Sequence, residues 1–236
     1  MERLDKLLSG TGRWSRREVK ALVREGRVLI DGSPASSADQ KLDPAASRVQ
    51  VDREDFQLGG FTYVMLYKPQ GVLSATEDVR QETVLDILSP ELRRRGLFPV
   101  GRLDKDSEGL LLLTNDGGLA HRLLSPKKHV DKVYQVWLDI PLGEADKKAF
   151  QEGIILADGT LCRPAGLEIL GDGRSALVTL HEGKFHQIKR MCASRGATVC
   201  RLKRLSMGAL ILDDGLSPGD YRLLTAEEVA KIGGKP

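Results

Sequence analysis

Asp-Gly pairs recur along this chain between apolar segments, at Asp31-Gly32, Asp116-Gly117, Asp158-Gly159 and Asp172-Gly173. Aspartate and glycine tolerate the left-handed backbone conformations of tight turns, and such turns join neighbouring antiparallel strands. Between them, short apolar runs predict strands at 63–67, 109–114, 132–138, 176–180 and 209–212. Residues 83–88, 119–124, 144–153 and 186–195 carry helical spacing. Strands and helices in this order point to an α+β fold with a mostly antiparallel sheet flanked by helices.

At 236 residues, the chain has room for one ordinary domain of roughly 150 residues and a small one. Its 41% hydrophobic and 29% charged content supports a real core and excludes a disordered or collagen-like chain. The longest aliphatic run, Leu110 to Leu113, falls far short of the roughly 20 residues of a membrane span. The N-terminus MERLDKLLSG is amphipathic and unlike a signal peptide, so a cytoplasmic protein is expected. Cys162, Cys192 and Cys200 show neither CxxC spacing nor an even count, which argues against a disulfide framework. His121, His129, His181 and His186 are not at metal-ligand spacing, and no metal is expected. Phosphate loops, GxGxxG, HExxH and GxSxG are all missing, leaving a cofactor-free enzyme or a binding protein.

At the N-terminus, Leu4, Leu7 and Leu8 predict one helix, and SRREVKALVREG predicts a second. In the latter, Ser15 and Glu18 form a capping box and Gly26 marks the stop. Val19, Leu22 and Val23 make its core face, with Arg17, Lys20 and Arg24 opposite. RVLIDGSP then reads as a strand entering a hairpin turn, with another short strand near 47–51. Arg3, Arg16 and other bases give residues 1–30 a cationic excess that fits either phosphate binding or a solvated helix surface. The run RLDKLLSGTGRWSRREVKALVREGRVLIDG resembles the S4 RNA-binding domain over residues 1 to about 52. That resemblance implies a structured RNA partner contacted by Arg3, Arg16, Arg17, Lys20 and Arg24. VDREDFQLGGF separates this unit from the rest, which gives expected domains of 1–55 and 61–236 with a linker at 56–60.

In FPVGRLDKDSEGLLLLTNDG, residues 98–117, a polar loop at 102–108 is set between apolar segments, so its side chains are displayed at a sheet rim. Asp104, Asp106 and Glu108 are all candidate carboxylates; spacing does not choose among them, and a solvated turn is the alternative.

GRLDKDSEGLLLLTNDG is similar to the signature of the RsuA/RluA-type pseudouridine synthases. LYKPQGVLS, the Lys132–Tyr134 triplet and HEGKFHQIKRMCASRGATVCRLKRLSMGAL match further blocks of that family in order, across nearly all of 61–228. The resemblance implies isomerisation of uridine to pseudouridine in RNA, without cofactor. The base is extruded from the stack, at a cost of a few kcal/mol. Asp104 matches the catalytic aspartate, whether it attacks the ribose, adds to the ring or takes the C2′ proton. Lys189 matches its cationic partner, with phosphate binding or a solvated surface as the alternative. Tyr134 matches the tyrosine against the flipped base, although a tyrosine in VYQVWL also suits a core. Leu202 matches an apolar wall of the uracil site, or is ordinary core. Arg102 matches a residue that fills the space left by the base or holds phosphate. Lys68, His186, Gln187 and Arg190 are expected to contact substrate.

Between residues 181 and 204, Lys184, Lys189, Arg190, Arg195, Arg201, Lys203 and Arg204 face one acid, Glu182, and Lys203 and Arg204 are expected to grip phosphates. EGKFHQIKRM, the leading S4 unit and LSPGDYRLLTAEEV resemble most the family members acting on small-subunit (16S) ribosomal RNA. The implied partner is that RNA, free or in a partly assembled particle. Large-subunit (23S) RNA and a non-catalytic assembly factor are the alternatives. A monomer is expected, since no coiled-coil heptad or long apolar stripe is present.

Overall fold

The structure, a computed structural model, describes residues 1–44, 47–56, 60–125 and 130–234. Its N-terminal part runs β1 (Glu2–Arg3), α1 (Leu4–Gly10), α2 (Arg16–Arg24), β2 (Val28–Ile30), β3 (Ser33–Pro34), β4 (Lys41–Leu42), β5 (Val49–Val51) and β6 (Glu54–Phe56). Helix α2 starts where the capping box forms: the Ser15 amide donates to Glu18 at 2.6 Å and the Glu18 amide to the Ser15 hydroxyl at 3.2 Å. It ends at Gly26, whose φ of +69° only glycine adopts freely. Asp31 and Gly32, both at positive φ, turn β2 into β3, and the sheet continues in the order β3-β2-β5-β6. Leu4, Leu8, Val19 and Leu22 pack on Val28, Val49 and Val51. Phe56 closes this core against Trp14, ring centres 4.9 Å apart, so the N-terminal sheet takes in the first residue of the expected linker. Residues 57–59 of that linker lie outside the described residues, as does His129.

The larger body follows as β7 (Tyr63–Lys68), α3 (Pro90–Arg93), β8 (Phe98–Pro99), β9 (Glu108–Thr114), α4 (Gly117–Leu124), β10 (Lys132–Leu138) and α5 (Glu144–Glu152). It is completed by β11 (Gly166–Leu170), β12 (Ser175–Leu180), α6 (Gln187–Ala193), β13 (Val199–Met207), β14 (Leu210–Ile211), β15 (Tyr221–Leu223) and α7 (Ala226–Lys231). One mixed sheet has the order β11-β12-β10-β13-β9-β7-β15, with β14 on β13 and β8 on β9. Each described pairing is antiparallel except β9 with β13, which meet in parallel at Glu108–Lys203 and Gly109–Arg204. No helix among the described residues is long and apolar enough to cross a membrane.

The apolar run of β9 is explained by burial on both faces. Leu110 and Leu112 face Leu119 and Leu123 of α4, while Leu111 and Leu113 face Val84, Leu88 and Leu97. On the other half of the sheet, Val136, Val178 and Leu202 pack against Phe150 of α5 and Ile188 and Met191 of α6.

Three expectations change. Residues 83–88 form turns instead of a helix: the Thr83 amide and hydroxyl both donate to the Asp86 carboxylate, at 2.9 and 2.8 Å, and the Val84 amide donates to the Leu73 carbonyl. Such local bonds compete with the helical pattern. Asp116-Gly117 is no hairpin turn; Asp116 caps α4, accepting from the Leu119 amide at 2.8 Å. β13, the longest strand, was hidden by Arg201, Lys203 and Arg204, which break its apolar alternation.

Candidate active site

The loop at 101–107 enters β9 at the parallel seam, where Gly109 has φ +104° and a Cβ would stand 2.3 Å from the Arg204 carbonyl oxygen. Only glycine lets the two strands approach so closely. Lys68, at the end of β7, clamps the loop from below: its ammonium donates to the carbonyls of Pro69 (2.9 Å), Asp104 (3.1 Å) and Ser107 (2.8 Å). Burial pushes Lys68 down to about 8, although Asp106, Asp104 and Glu108 pull the other way. From the opposite side the Ser74 hydroxyl donates to the Leu103 carbonyl at 2.8 Å and accepts from its amide at 3.0 Å. Asp104 is therefore fixed by backbone on both flanks.

Its carboxylate opens into a cleft of about 710 Å³ lined by Arg102, Ser107, Lys132, Tyr134, His186 and Leu202, among others. Lys189, one turn into α6, lies 3.2 Å from Asp104 Oδ2, and also 2.5 Å from Asp106 Oδ1. Lys189 holds the Asp106 carboxyl below its usual range, and Asp106 is the more exposed of the two acids. One ammonium thus bridges two carboxylates, of which only Asp104 lines the cleft. His186 Nε2 is 3.6 Å from Asp104 Oδ1. That histidine sits in the left-handed region (φ +48°) as the residue that turns the chain into α6, its ring stacked on Phe185 at 3.8 Å. Tyr134 and Leu202, on the adjacent strands β10 and β13, supply the buried aromatic and aliphatic walls.

Several sequence-based expectations are relocated. Lys68, expected at the substrate, is 0% exposed and spends its donors on loop carbonyls, which holds the loop that carries Asp104. Gln187 is also buried; its oxygen accepts from the Lys184 amide and its nitrogen donates to Glu182, which shapes the turn before α6. Arg190 is bound to Asp158 at 2.5 Å and holds the segment around the 158–159 turn. On β13 the pleat separates the bases. Arg204 is buried in the cleft wall, whereas Lys203 lies over the Tyr67 ring at 4.7 Å and Arg201 pairs with Glu108 on the other side. Of the two bases expected to grip phosphates, Lys203 is half-buried and Arg204 is buried. Arg102 is exposed at the cleft mouth. In the N-terminal unit, Arg16, Arg17, Lys20 and Arg24 are exposed, while Arg3 is held by Asp5 at 2.9 Å. Lys20, Arg24 and Arg3 border a shallow depression with Ser36, Ser37 and Asp39.

Sequence reasoning missed Phe185, which is 72% exposed at the rim; an aromatic inside a basic motif was the available signal. It also missed Ser107 and Lys132 as lining groups, which only the folded sheet reveals.

Residues 62–194 match the RNA pseudouridylate synthase family and residues 2–46 the S4 domain. An uncharacterised RNA pseudouridine synthase of Bacillus subtilis is 51% identical over 96% of both chains. The ribosomal small subunit pseudouridine synthase A of Vibrio cholerae is 41% identical over 98% of this chain and 99% of its own. A crystal structure of a pseudouridylate synthase superposes with a TM-score of 0.70 at 35% identity, covering 98% of this chain and 100% of that one. With Asp104, Tyr134 and Leu202 lining one cleft, Lys189 paired to Asp104, and both family models matched, the chain belongs to the RNA pseudouridylate synthase family.

Proposed function

We propose that this protein converts a uridine of small-subunit ribosomal RNA to pseudouridine, with Asp104 as the catalytic carboxylate. The observation that carries the reading is the placement of Asp104 in the cleft, backed by Lys189 at 3.2 Å and flanked by the Tyr134 and Leu202 walls. The choice of RNA is supported by full-length relatives named ribosomal small subunit pseudouridine synthase A.

A uridine stacked in RNA cannot reach Asp104, so the nucleotide must swing out into the cleft. Tyr134 and Leu202 then sandwich the base, and Arg102 at the mouth takes the vacated space or a phosphate. Phe185 offers its exposed face to a neighbouring base, a contact every nucleobase can make. Lys189 supplies the Asp104 carboxylate with a fixed counter-charge as the cleft loses water on RNA binding. The reaction is an isomerisation and needs no redox or nucleotide cofactor. The enzyme works as a monomer in the cytoplasm, on free RNA or a partly assembled particle, with the α2 bases holding phosphates.

The test is release of tritium from uracil C5 of unmodified small- and large-subunit ribosomal RNA, free and as ribonucleoprotein, by wild type and Asp104→Asn. Release from the small-subunit RNA that vanishes in Asp104→Asn is the expected result. Release confined to large-subunit RNA would reassign the substrate. RNA binding without release would make the protein an assembly factor.

A further inference from the structure

Two buried side chains that line the cleft carry hydrogen-bonding atoms with no partner among the described residues. Arg204 is 2% exposed; its Nε donates to the Leu110 carbonyl at 2.7 Å, yet its buried Nη2 has no partner among the described residues. Ser107 is fully buried, and its hydroxyl has no partner either. Both belong to the lining that includes Asp104 and Tyr134. Arg204 stands opposite Gly109 across the parallel seam, two residues from Ser107, and Arg204 and Ser107 line the same cleft. An unsatisfied buried donor costs about 1–3 kcal/mol, more when charged, so such atoms are retained where something else completes them.

Charge points the same way. Arg204 forms no ion pair among the described residues, and its buried nitrogen is bound only by a neutral carbonyl. Lys132, on the same cleft wall, has its pKa lowered first by burial and then by the Arg204 charge, with Asp131 opposing. The buried Arg204 charge therefore has no carboxylate paired with it among the described residues, while Asp104 has its own cation in Lys189.

We propose that Arg204 Nη2 and Ser107 Oγ donate to a carbonyl oxygen of the extruded uracil, and that Arg204 stabilises the negative charge this base acquires when it leaves the ribose. The inference rests on the isomerase reading above. When the N1–C1′ bond breaks, its electron pair stays on the base and spreads over N1, O2, O4 and C5. A pair from C5 then forms the C5–C1′ bond, the C5 proton leaves to solvent and N1 takes one up, so nothing else is consumed. A guanidinium fixed at one oxygen stabilises that anion without proton transfer, in a site already stripped of water. It also tethers the base while it turns between the Tyr134 and Leu202 walls.

The experiment uses the shortest ribosomal RNA fragment from which wild type releases tritium, with uridine, 2-thiouridine or 4-thiouridine at the target. Single-turnover rates are measured at saturating enzyme for wild type, Arg204→Met and Ser107→Ala. Arg204→Met is expected to slow the uridine substrate about 10²-fold with RNA affinity unchanged. At one of the two positions, the rate ratio between oxygen and sulfur seen with wild type should collapse in Arg204→Met, because the oxygen has lost its donor. Ser107→Ala, which removes one hydroxyl, makes the same comparison if Arg204→Met fails to fold. Ratios unchanged at both positions in the folded variants would overturn the proposal. Failure of wild type to release tritium from any RNA would instead remove the isomerase reading itself.

Discussion

Lys68 sits without water access among backbone carbonyls, where an ammonium is costly and stays only because its donors are used. Its folded pKa, about 8, lies below the unfolded value of 10.5. Between those values the unfolded chain binds more protons than the folded one, so this residue's contribution to stability increases as pH rises through that window. The melting temperature of wild type relative to Lys68→Met should therefore increase from pH 7.5 to pH 10; a constant difference would count against a buried, depressed lysine. At the same scale, the 102–108 loop announced a site but not its acid. Asp104, Asp106 and Glu108 are local alternatives in the chain. What separates them is distant in sequence: Asp104 lines the cleft with Tyr134 and Leu202, Asp106 shares Lys189 but lies outside that lining, and Glu108 turns away to Arg201.

At the scale of elements, the parallel seam between β9 and β13 decides where the cleft opens. Gly109→Ala would place a methyl group on the Arg204 carbonyl in a left-handed backbone, and should cost at least about 2 kcal/mol in denaturant unfolding. Tritium release should fall further than stability explains, since Asp104 and Arg204 both hang from this seam. Helix α2 was readable from its cap and apolar face, and α5 and α6 from their apolar spacing, all of them local properties. β13 was not, because the pattern of alternate burial includes an arginine whose partner is a carbonyl 94 residues away. The 83–88 segment misled for a related reason. Its apolar spacing is helical, and Val84, Leu85 and Leu88 do reach the core, but a backbone bridge to Leu73 ties its first residues to another segment.

For the whole molecule, the proposed reading assigns affinity to the exposed α2 bases and chemistry to the cleft. Replacing Arg17, Lys20 and Arg24 together with alanine should weaken RNA binding and flatten its salt dependence by about 0.7–0.9 in log–log slope for each phosphate left unneutralised. The single-turnover rate at saturating RNA should stay at the wild-type level. Binding titrations at several salt concentrations, paired with tritium release, check both halves, and an unchanged slope would remove α2 from the RNA interface. The S4 resemblance made this division legible early, since it spans residues that share no core with the cleft.

The Arg204 guanidinium also sets a schedule for synthesis. Its bond to Leu110 spans 94 residues and the Lys189 bond to Asp104 spans 85. A ribosome making this protein has thus released the aspartate loop long before either partner exists. Until β13 emerges, the growing chain carries its S4 unit but no assembled cleft, so it can hold RNA before it can modify it.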